Sequence, residues 1–339
     1  MKISVFGSGA WGTAIALLLR DNGNEVTLWS KFEDEAENLR RNRENPLLPG
    51  IQIPEDIYIT SDMENAATDT GAVVLAVPSF AVRQTAEDLR GRLARDCVAI
   101  CMSKGIEKNS TKLFTTILRE VLGSGTPIAS VSGPTHAEEV ARQVPTACVA
   151  ASLDIEVAGY VQDILMNEYF RTYTTTDVIG VELGAALKNV IALCAGICDG
   201  LGAGDNTLAM LMTRGLAEVA ELCVKMGGRK ETLAGLAGLG DLIVTCMSRH
   251  SRNRRAGVLI GRGMTAEDAM AEVGSVVEGY YAAKAARDLS ELMGVEMPIC
   301  REAYNVLYEG KQPMTAVKEL MARERKSETR TGEGRWVNK

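Results

Sequence analysis

The chain has 339 residues, of which 46% are hydrophobic and 24% charged, and its formal net charge is −7. This length permits two domains with separate cores, and the composition is that of an ordinary globular protein. The negative charge argues against a general role in binding nucleic acid, so an anionic substrate would need a local basic site.

The cysteine and histidine content predicts neither a disulfide framework nor a zinc site. Most of the eight cysteines lie in apolar runs such as Cys97–Cys101 and Cys194–Cys198, and there are only two histidines. We therefore expect buried thiols in a reducing cytosol and no metal. The first strand pattern begins at Lys2, and no apolar run approaches the ~20 residues that span a bilayer. The sequence thus predicts a cytoplasmic protein without a membrane partner.

The N-terminal half alternates short apolar runs with helical patterns. The predicted strands are 3–6, 26–29, 73–77, 98–102, 128–131, 147–151 and 171–174, and the predicted helices are 11–21, 33–43, 80–94 and 111–122. This alternation predicts an α/β domain over residues 1–178, with a parallel, doubly wound sheet of Rossmann type.

The pattern changes near Val178, after which almost every segment indicates helix. The predicted helices are 180–198, 206–226, 254–262, 265–272, 278–293 and 298–308. We expect an all-helical domain over residues 179–322. The charged stretch 323–339 lacks apolar periodicity, which predicts a mobile tail.

The segment Gly7–Gly12 matches the G-x-G-x-x-G pattern between a predicted strand and a predicted helix. Gly7 would permit the tight turn, Gly9 would let a pyrophosphate approach the backbone, and Gly12 would allow close packing of helix on strand. The free N–H groups at the start of the helix would then face the phosphates. A plain strand-to-helix turn is the alternative.

The second predicted strand should end beside the adenosine ribose, where NAD-selective sites carry Asp or Glu. Ser30 and Lys31 occupy this position instead. Glu33 and Asp34 come slightly later and are predicted to form the first turn of the next helix. A cation without a carboxylate would tolerate a 2′-phosphate, which predicts that NADP is accepted. The alternative is that Lys31 is exposed and binds no ligand.

The predicted helix 180–198 carries Lys188 among small and apolar residues. Burial would lower the pKa of this lysine and suit it to proton transfer, whereas a lysine on a surface helix would extend to solvent. Spacing alone leaves both interpretations open.

Other candidate residues follow predicted strands or glycine-bounded loops. Lys104 follows one strand, and the segment Ser132–His136 follows another. Asp241 follows a glycine-rich loop and could be only a helix N-cap. Ser251–Arg255 is a basic cluster at the start of a helix, either a phosphate site or a solvated face.

Taken together, these segments resemble the bacterial glycerol-3-phosphate dehydrogenase family. The matching stretches occur in the family's order and cover nearly all of the chain except its tail: Gly7–Thr13, Leu75–Ser79, Ser103–Gly105, Ser132–Thr135, Leu187–Asn189, Gly204–Thr207, Gly238–Leu242 and Ser251–Arg254. The resemblance implies a helical domain of the 6-phosphogluconate-dehydrogenase type. It also implies NAD(P)-dependent reduction of dihydroxyacetone phosphate to sn-glycerol 3-phosphate for phospholipid synthesis. A homodimer is the expected assembly.

The resemblance also implies roles for individual residues. Lys188 would be the catalytic acid/base, with Asp241 and Lys104 in the active site. The substrate-contacting positions would be Lys104, Gly133, Thr135, Lys188, Asp241, Ser251, Arg252 and Asn253. The cofactor-contacting positions would be Gly7, Gly9, Ala10, Trp11, Gly12, Lys31, Lys104, Ala137, Arg252, Val276 and Glu278. His136 occupies a position that is often Phe in the family, and we expect it to pack beside the site.

Two alternative functions remain at this stage. Another dehydrogenase with the same plan, acting on β-hydroxy acids or 6-phosphogluconate, would use a comparable lysine. A redox sensor that reads the NAD(P) ratio without turnover is the second, although Lys104, Lys188 and Asp241 exceed what cofactor binding requires.

Overall fold

The computed structural model describes residues 1–325, 327 and 328, and its N-terminal half is built on a mixed sheet. Eight strands are present in this described part, in the spatial order β3-β2-β1-β4-β5-β6-β7-β8. They are β1 (Lys2–Phe6), β2 (Glu25–Trp29), β3 (Tyr58–Thr60), β4 (Ala72–Leu75), β5 (Val98–Cys101), β6 (Ile128–Ser132), β7 (Thr146–Ala151) and β8 (Phe170–Thr175).

Helices cover both faces of this sheet. They are α1 (Ala10–Asp21), α2 (Glu33–Asn42), α3 (Met63–Ala67), α4 (Val82–Leu89), α5 (Phe114–Leu122), α6 (Ala137–Val140) and α7 (Ile155–Leu165). Successive residues of a strand face opposite sides, so Val5 joins the apolar cluster on one face while Phe6 joins the cluster on the other. The predicted doubly wound architecture is confirmed.

The second half of the described chain is helical. Its helices are α8 (Val178–Gly200), α9 (Asp205–Lys225), α10 (Lys230–Leu233), α11 (Asp241–Met247), α12 (Arg252–Gly261), α13 (Ala266–Val273), α14 (Glu278–Met293), α15 (Pro298–Tyr308) and α16 (Pro313–Met321). Helix α8 runs through the middle of this half, and nearly all of its residues are buried.

One expectation about the sheet is wrong. Strands β6 and β7 are antiparallel, whereas the other neighbouring pairs in the described sheet are parallel. The connection between β6 and β7 contains only the four-residue helix α6. A parallel crossover usually carries a full helix that packs across the sheet, and the single turn of α6 is too short for this, so the chain reverses instead.

Several element predictions also need correction. The sequence does not predict strand β3 or helices α3, α6, α7, α10, α11 and α16. The predicted helix 80–94 is a short 3₁₀ turn at Ser79–Ala81 followed by α4, which ends at Leu89. Most of the missed elements have five or fewer residues or begin in glycine- or polar-rich segments, where periodicity carries little information. Of the predicted tail 323–339, residues 326 and 329–339 lie outside the described residues.

Helix α8 also corrects the expectation that no apolar run could span a bilayer. Within the described residues it is long and apolar enough by length and composition, with a mean hydropathy of 1.7, yet 89% of that window is buried inside the protein. Its burial shows that its apolar surface forms the core of the helical half.

Glycines bring α8 and α12 into close contact. A Cβ atom added at Gly196 of α8 would lie 2.1 Å from the carbonyl oxygen of Arg254, and one added at Gly257 of α12 would lie 2.1 Å from that of Leu193. The two backbones therefore touch, and this contact fixes the start of α12 relative to α8.

Candidate active site

Helix α8 buries the side chain of Lys188, which is only 8% exposed. Its Nζ donates hydrogen bonds to Asp241 Oδ1 and to Thr245 Oγ1, both at 2.6 Å. The alternative of a lysine that extends to solvent is therefore wrong. The ammonium is held by an anionic and a neutral acceptor in the protein interior.

Asp241 is the first residue of α11 and follows a π-helical turn at Leu236–Gly240. This turn lies against α8, where a Cβ atom at Gly184 would be 2.6 Å from the carbonyl oxygen of Ala237. The close approach brings the Asp241 carboxylate to Lys188. Asp241 is therefore not an N-cap, since Gly240 holds that position and the carboxylate bonds to lysines.

The sheet contributes the second cation of this cluster. Lys104 follows β5, and its Nζ donates to Asp241 Oδ2 at 2.7 Å, to the carbonyl oxygen of Gly133 at 2.9 Å and to Thr135 Oγ1 at 3.4 Å. Gly133 and Thr135 follow β6, so the carboxyl ends of two neighbouring strands meet here. One carboxylate thus bridges a lysine from each half of the chain.

The charges in this cluster shift each other's pKa values. Burial lowers the pKa of Lys188 to about 8, with Asp241 opposing the shift and Lys104 adding to it. Burial also acts to raise the pKa of Asp241, but Lys104 and Lys188 together outweigh it and hold that pKa below its usual value. Near neutral pH the aspartate is ionised, and Lys188 can exchange a proton with a neighbouring group.

The start of α12 lies beside this cluster. Ser251 caps the helix, with its Oγ accepting from Arg254 N at 3.2 Å, and Arg252 is exposed in the first turn. Asn253 donates through Nδ2 to Asn189 Oδ1 at 2.9 Å and accepts at Oδ1 from Gly279 N at 2.8 Å. Since Asn189 follows Lys188 in α8, the start of α12 is tied directly to the lysine site.

The glycine turn has the geometry that a dinucleotide requires. Gly7 has a φ of +114°, and a Cβ at Gly12 would lie 1.8 Å from the Gly7 carbonyl oxygen, so both positions need glycine. At Gly9, by contrast, a Cβ would meet no atom of the described chain within 4 Å. Ala10 and Trp11 form the first turn of α1, whose N–H groups have no partner within the helix. A phosphate group fits against this open backbone.

A carboxylate lies at the end of β2, contrary to the expectation from Ser30 and Lys31. Glu35 of α2 accepts hydrogen bonds from the hydroxyls of Ser8 and Ser30 at one carboxylate oxygen, Oε2. Glu33 and Asp34 do form the first turn of α2. The strand pattern could not reveal Glu35, because this carboxylate reaches the strand end from a helix.

The remaining predicted cofactor positions lie on both sides of the cleft between the halves. Ala137 begins α6 and is buried, and Val276 is half-buried just before α14. Glu278 begins α14, and its Oε1 accepts from Ser79 N, which follows β4, at 3.4 Å. Burial raises the pKa of Glu278. These positions lie along the carboxyl edge of the sheet and the segment that faces it.

His136 lies beside the lysine cluster and is half-buried. Its Nε2 is buried without a hydrogen-bond partner among the described residues. Burial lowers the pKa of His136, and Lys188 and Lys104 lower it further, so the imidazole is neutral at neutral pH. Its position beside the site agrees with the expectation from the sequence.

Sequence reasoning missed two contributors to the cluster. Thr245 accepts from Lys188, and Ser132 Oγ lies 3.5 Å from Asp241 Oδ2. Thr245 stands four residues after Asp241, which places both on one helix face, so the spacing would have found it once α11 had been recognised.

Comparison with known proteins gives the same overall picture. The family model described as NAD-dependent glycerol-3-phosphate dehydrogenase N-terminus matches residues 2–158, and its C-terminal counterpart matches residues 177–318. A glycerol-3-phosphate dehydrogenase [NAD(P)+] from Thermoanaerobacter sp. (strain X514) is 50% identical over 328 residues, which cover 97% of this chain and 99% of the relative. The enzyme of that name from Fusobacterium nucleatum is 49% identical over 330 residues, or 97% and 98% of the two chains.

A solved structure agrees in fold as well as in sequence. The crystal structure of glycerol-3-phosphate dehydrogenase from Coxiella burnetii superposes with a TM-score of 0.91 at 36% identity, covering 95% of this chain and 99% of that one. Two family models therefore span both halves, and relatives near half identity cover almost the full length. The chain belongs to the NAD(P)-dependent glycerol-3-phosphate dehydrogenase family.

Proposed function

We propose that this chain catalyses the reversible, NAD(P)-dependent reduction of dihydroxyacetone phosphate to sn-glycerol 3-phosphate, with Lys188 as the acid/base. The observation that carries this assignment is the buried cluster in which Asp241 bridges Lys188 and Lys104. A buried lysine with a pKa of about 8 suits proton transfer to an alkoxide near neutral pH.

The glycine turn from Gly7 to Gly12 holds the cofactor in this proposal. The open backbone at Gly9 and the first turn of α1 bind the pyrophosphate. The cofactor also contacts Ala10, Trp11 and Ala137 in this proposal. When bound, the reduced nicotinamide supplies a hydride for the substrate carbonyl.

The side chains around Lys188 divide the remaining tasks. Lys188 donates a hydrogen bond to the substrate oxygen at C2 and then its proton, while Asp241 holds the lysine in its charged form. Lys104 positions the substrate from the sheet side, together with Gly133 and Thr135. Lys188 from the helical half is thus the proton donor, and Lys104 from the sheet positions the substrate.

The substrate phosphate binds at the start of α12. Arg252 and the helix N-terminus supply positive charge, and Ser251 and Asn253 supply polar groups. Val276 and Glu278 line the cofactor side of this cleft, and Arg252 is near enough to Glu278 to act on its pKa in the lowering direction. An anion held here fixes the carbonyl close to Lys188.

Steady-state kinetics test this proposal against the other dehydrogenases of similar plan. The purified protein should oxidise NADH or NADPH rapidly when dihydroxyacetone phosphate is the substrate. Oxidation should be far slower with β-keto acids or with sugar-phosphate ketones of a different size. Lys188→Ala should lose at least about 10²-fold in kcat while binding cofactor normally. Normal turnover in Lys188→Ala would refute the lysine assignment, and absence of turnover in the wild type would favour the sensor interpretation.

The setting of the reaction belongs to the same proposal. We infer a cytoplasmic enzyme that supplies glycerol 3-phosphate for phospholipid synthesis, with residues 1–178 as cofactor domain and 179–322 as substrate domain. A homodimer would cover the apolar side chains of Met210 and Val224, which α9 leaves exposed. Sedimentation of the purified protein at several concentrations would test the assembly.

A further inference from the structure

Glu35 places a carboxylate where the adenosine half of a dinucleotide would bind. In dinucleotide-binding sheets the end of β2 lies beside the adenosine ribose, and a carboxylate there accepts a hydrogen bond from the 2′-hydroxyl. In this chain the residue after β2 is Ser30, which is fully buried and uncharged. Glu35 from α2 brings a carboxylate to this strand end, although it is five residues further along the chain.

Two hydrogen bonds hold this carboxylate in place. Ser8 Oγ, from the glycine turn, donates to Glu35 Oε2 at 2.9 Å, and Ser30 Oγ, from the strand end, donates to the same oxygen. One oxygen thus links the pyrophosphate-binding turn to the end of β2. Among the described residues no hydrogen bond engages Oε1, and Glu35 as a whole is exposed. The carboxylate is therefore anchored at one oxygen and open at the other.

The cation at this end of the site is not anchored in the same way. Lys31 is exposed, and within the described chain no hydrogen bond or ion pair holds its ammonium. A flexible surface lysine attracts a phosphate only weakly because water and salt screen the interaction. The negative charge of Glu35 acts in the opposite direction on a 2′-phosphate, and hydrogen bonds from Ser8 and Ser30 hold it at the strand end.

We propose that Glu35 selects NADH over NADPH by accepting a hydrogen bond from the ribose 2′-hydroxyl and repelling a 2′-phosphate. This inference rests on the cofactor site proposed above. NADP is still accepted, as expected from Ser30 and Lys31, and Glu35 sets the preference between the two cofactors. Ser8 and Ser30 act as positioning residues that hold the carboxylate toward the ribose.

Direct binding measurements test the assignment without relying on turnover. Fluorescence titration of the wild-type protein should give an NADH affinity at least about tenfold higher than that for NADPH, because like charges in contact weaken binding. Glu35→Gln should reduce that ratio by about tenfold or more, mainly by strengthening NADPH binding. Adenosine 2′,5′-bisphosphate should compete better in this variant, whereas 5′-AMP should compete about equally in both proteins.

Glu37→Gln is the matched control, since Glu37 is exposed on the same helix and the substitution removes the same charge. It should leave the ratio of the two affinities unchanged, and Glu35→Ala should behave like Glu35→Gln. Equal ratios in the wild type and in both Glu35 variants would overturn the inference, as would a wild type that prefers NADPH. If neither cofactor binds the wild type, the proposed dinucleotide site itself is wrong and this inference falls with it.

Discussion

The bridging carboxylate of Asp241 offers the sharpest test of the proposed mechanism. It is about 1% exposed and bonds at opposite oxygens to Lys188 and Lys104. Asp241→Asn keeps the shape of the side chain but removes its charge. Two ammonium groups then share a buried site without a counter-ion, so the charged form of Lys188 becomes less favourable.

The size of the effect follows from the contact distance. The wild-type pKa of Lys188 is about 8, with Asp241 raising it against the larger effect of burial. An opposite charge at contact distance shifts a pKa by about 1–3 units, so its loss should lower this pKa by at least about 1 unit. At pH 8 the charged fraction of Lys188 then falls from about one half to about one tenth or less.

The assay is the pH dependence of kcat for reduction of dihydroxyacetone phosphate. Because the charged lysine is the donor, the alkaline limb should move to lower pH by about 1 unit or more in Asp241→Asn. Asp288→Asn is the control, since Asp288 forms an ion pair with Lys284 at 3.1 Å on the outer surface of α14. Its profile should match the wild type.

The result that would refute this reasoning is an unshifted alkaline limb in Asp241→Asn. Circular dichroism and cofactor titration must first show that the variant is folded and binds its cofactor. If it does not fold, Thr245→Val provides a second route, because it removes the neutral acceptor at 2.6 Å from Lys188 Nζ. That variant should also shift the limb to lower pH, by a smaller amount, and an unshifted limb would count against the assignment equally.

Three further outcomes test other parts of the structure. Burial raises the pKa of Glu182 to about 7, so the folded chain keeps a proton that the unfolded chain loses above about pH 4.5. The free energy of unfolding should therefore fall between these pH values by up to ~1.4 kcal/mol per pH unit. Urea titrations at several pH values should show that the free energy of unfolding of Glu182→Gln depends less steeply on pH than that of the wild type. Gly257→Ala should destabilise the fold by about 1–3 kcal/mol, because its Cβ would lie 2.1 Å from the Leu193 carbonyl oxygen. Gly125→Ala, where a Cβ meets no described atom within 4 Å, should leave the urea midpoint nearly unchanged. Arg252→Ala should raise the KM for dihydroxyacetone phosphate at least about tenfold with a smaller change in kcat, and an unchanged KM would argue against the phosphate site.

The local patterns of the sequence were sufficient for the doubly wound sheet, the helical half and the glycine turn. Period-two and continuous apolar runs identify strands, and the spacing of Gly7, Gly9 and Gly12 reports a backbone requirement that is local to one turn. The direction of β7 was not available in this way, because parallel and antiparallel neighbours can have the same apolar pattern.

For the candidate site, too, the sequence identified residues but not their contacts. The ordered motifs named Lys104, Lys188 and Asp241, but spacing alone could not decide whether Lys188 was buried or whether Asp241 was a cap. Those answers depend on contacts between residues far apart in the chain, such as the 2.6 Å bond between Lys188 and Asp241.

Glu35 shows most clearly what only the tertiary structure decided. The sequence determined that a serine and a lysine follow β2, and this pattern indicated a site without an acid. The fold of α2 over the strand end then placed a carboxylate at the same point, bonded to Ser8 and Ser30. A charge acts through space rather than along the chain, so its effect on a ligand follows from where the side chain lies and not from its position in the motif.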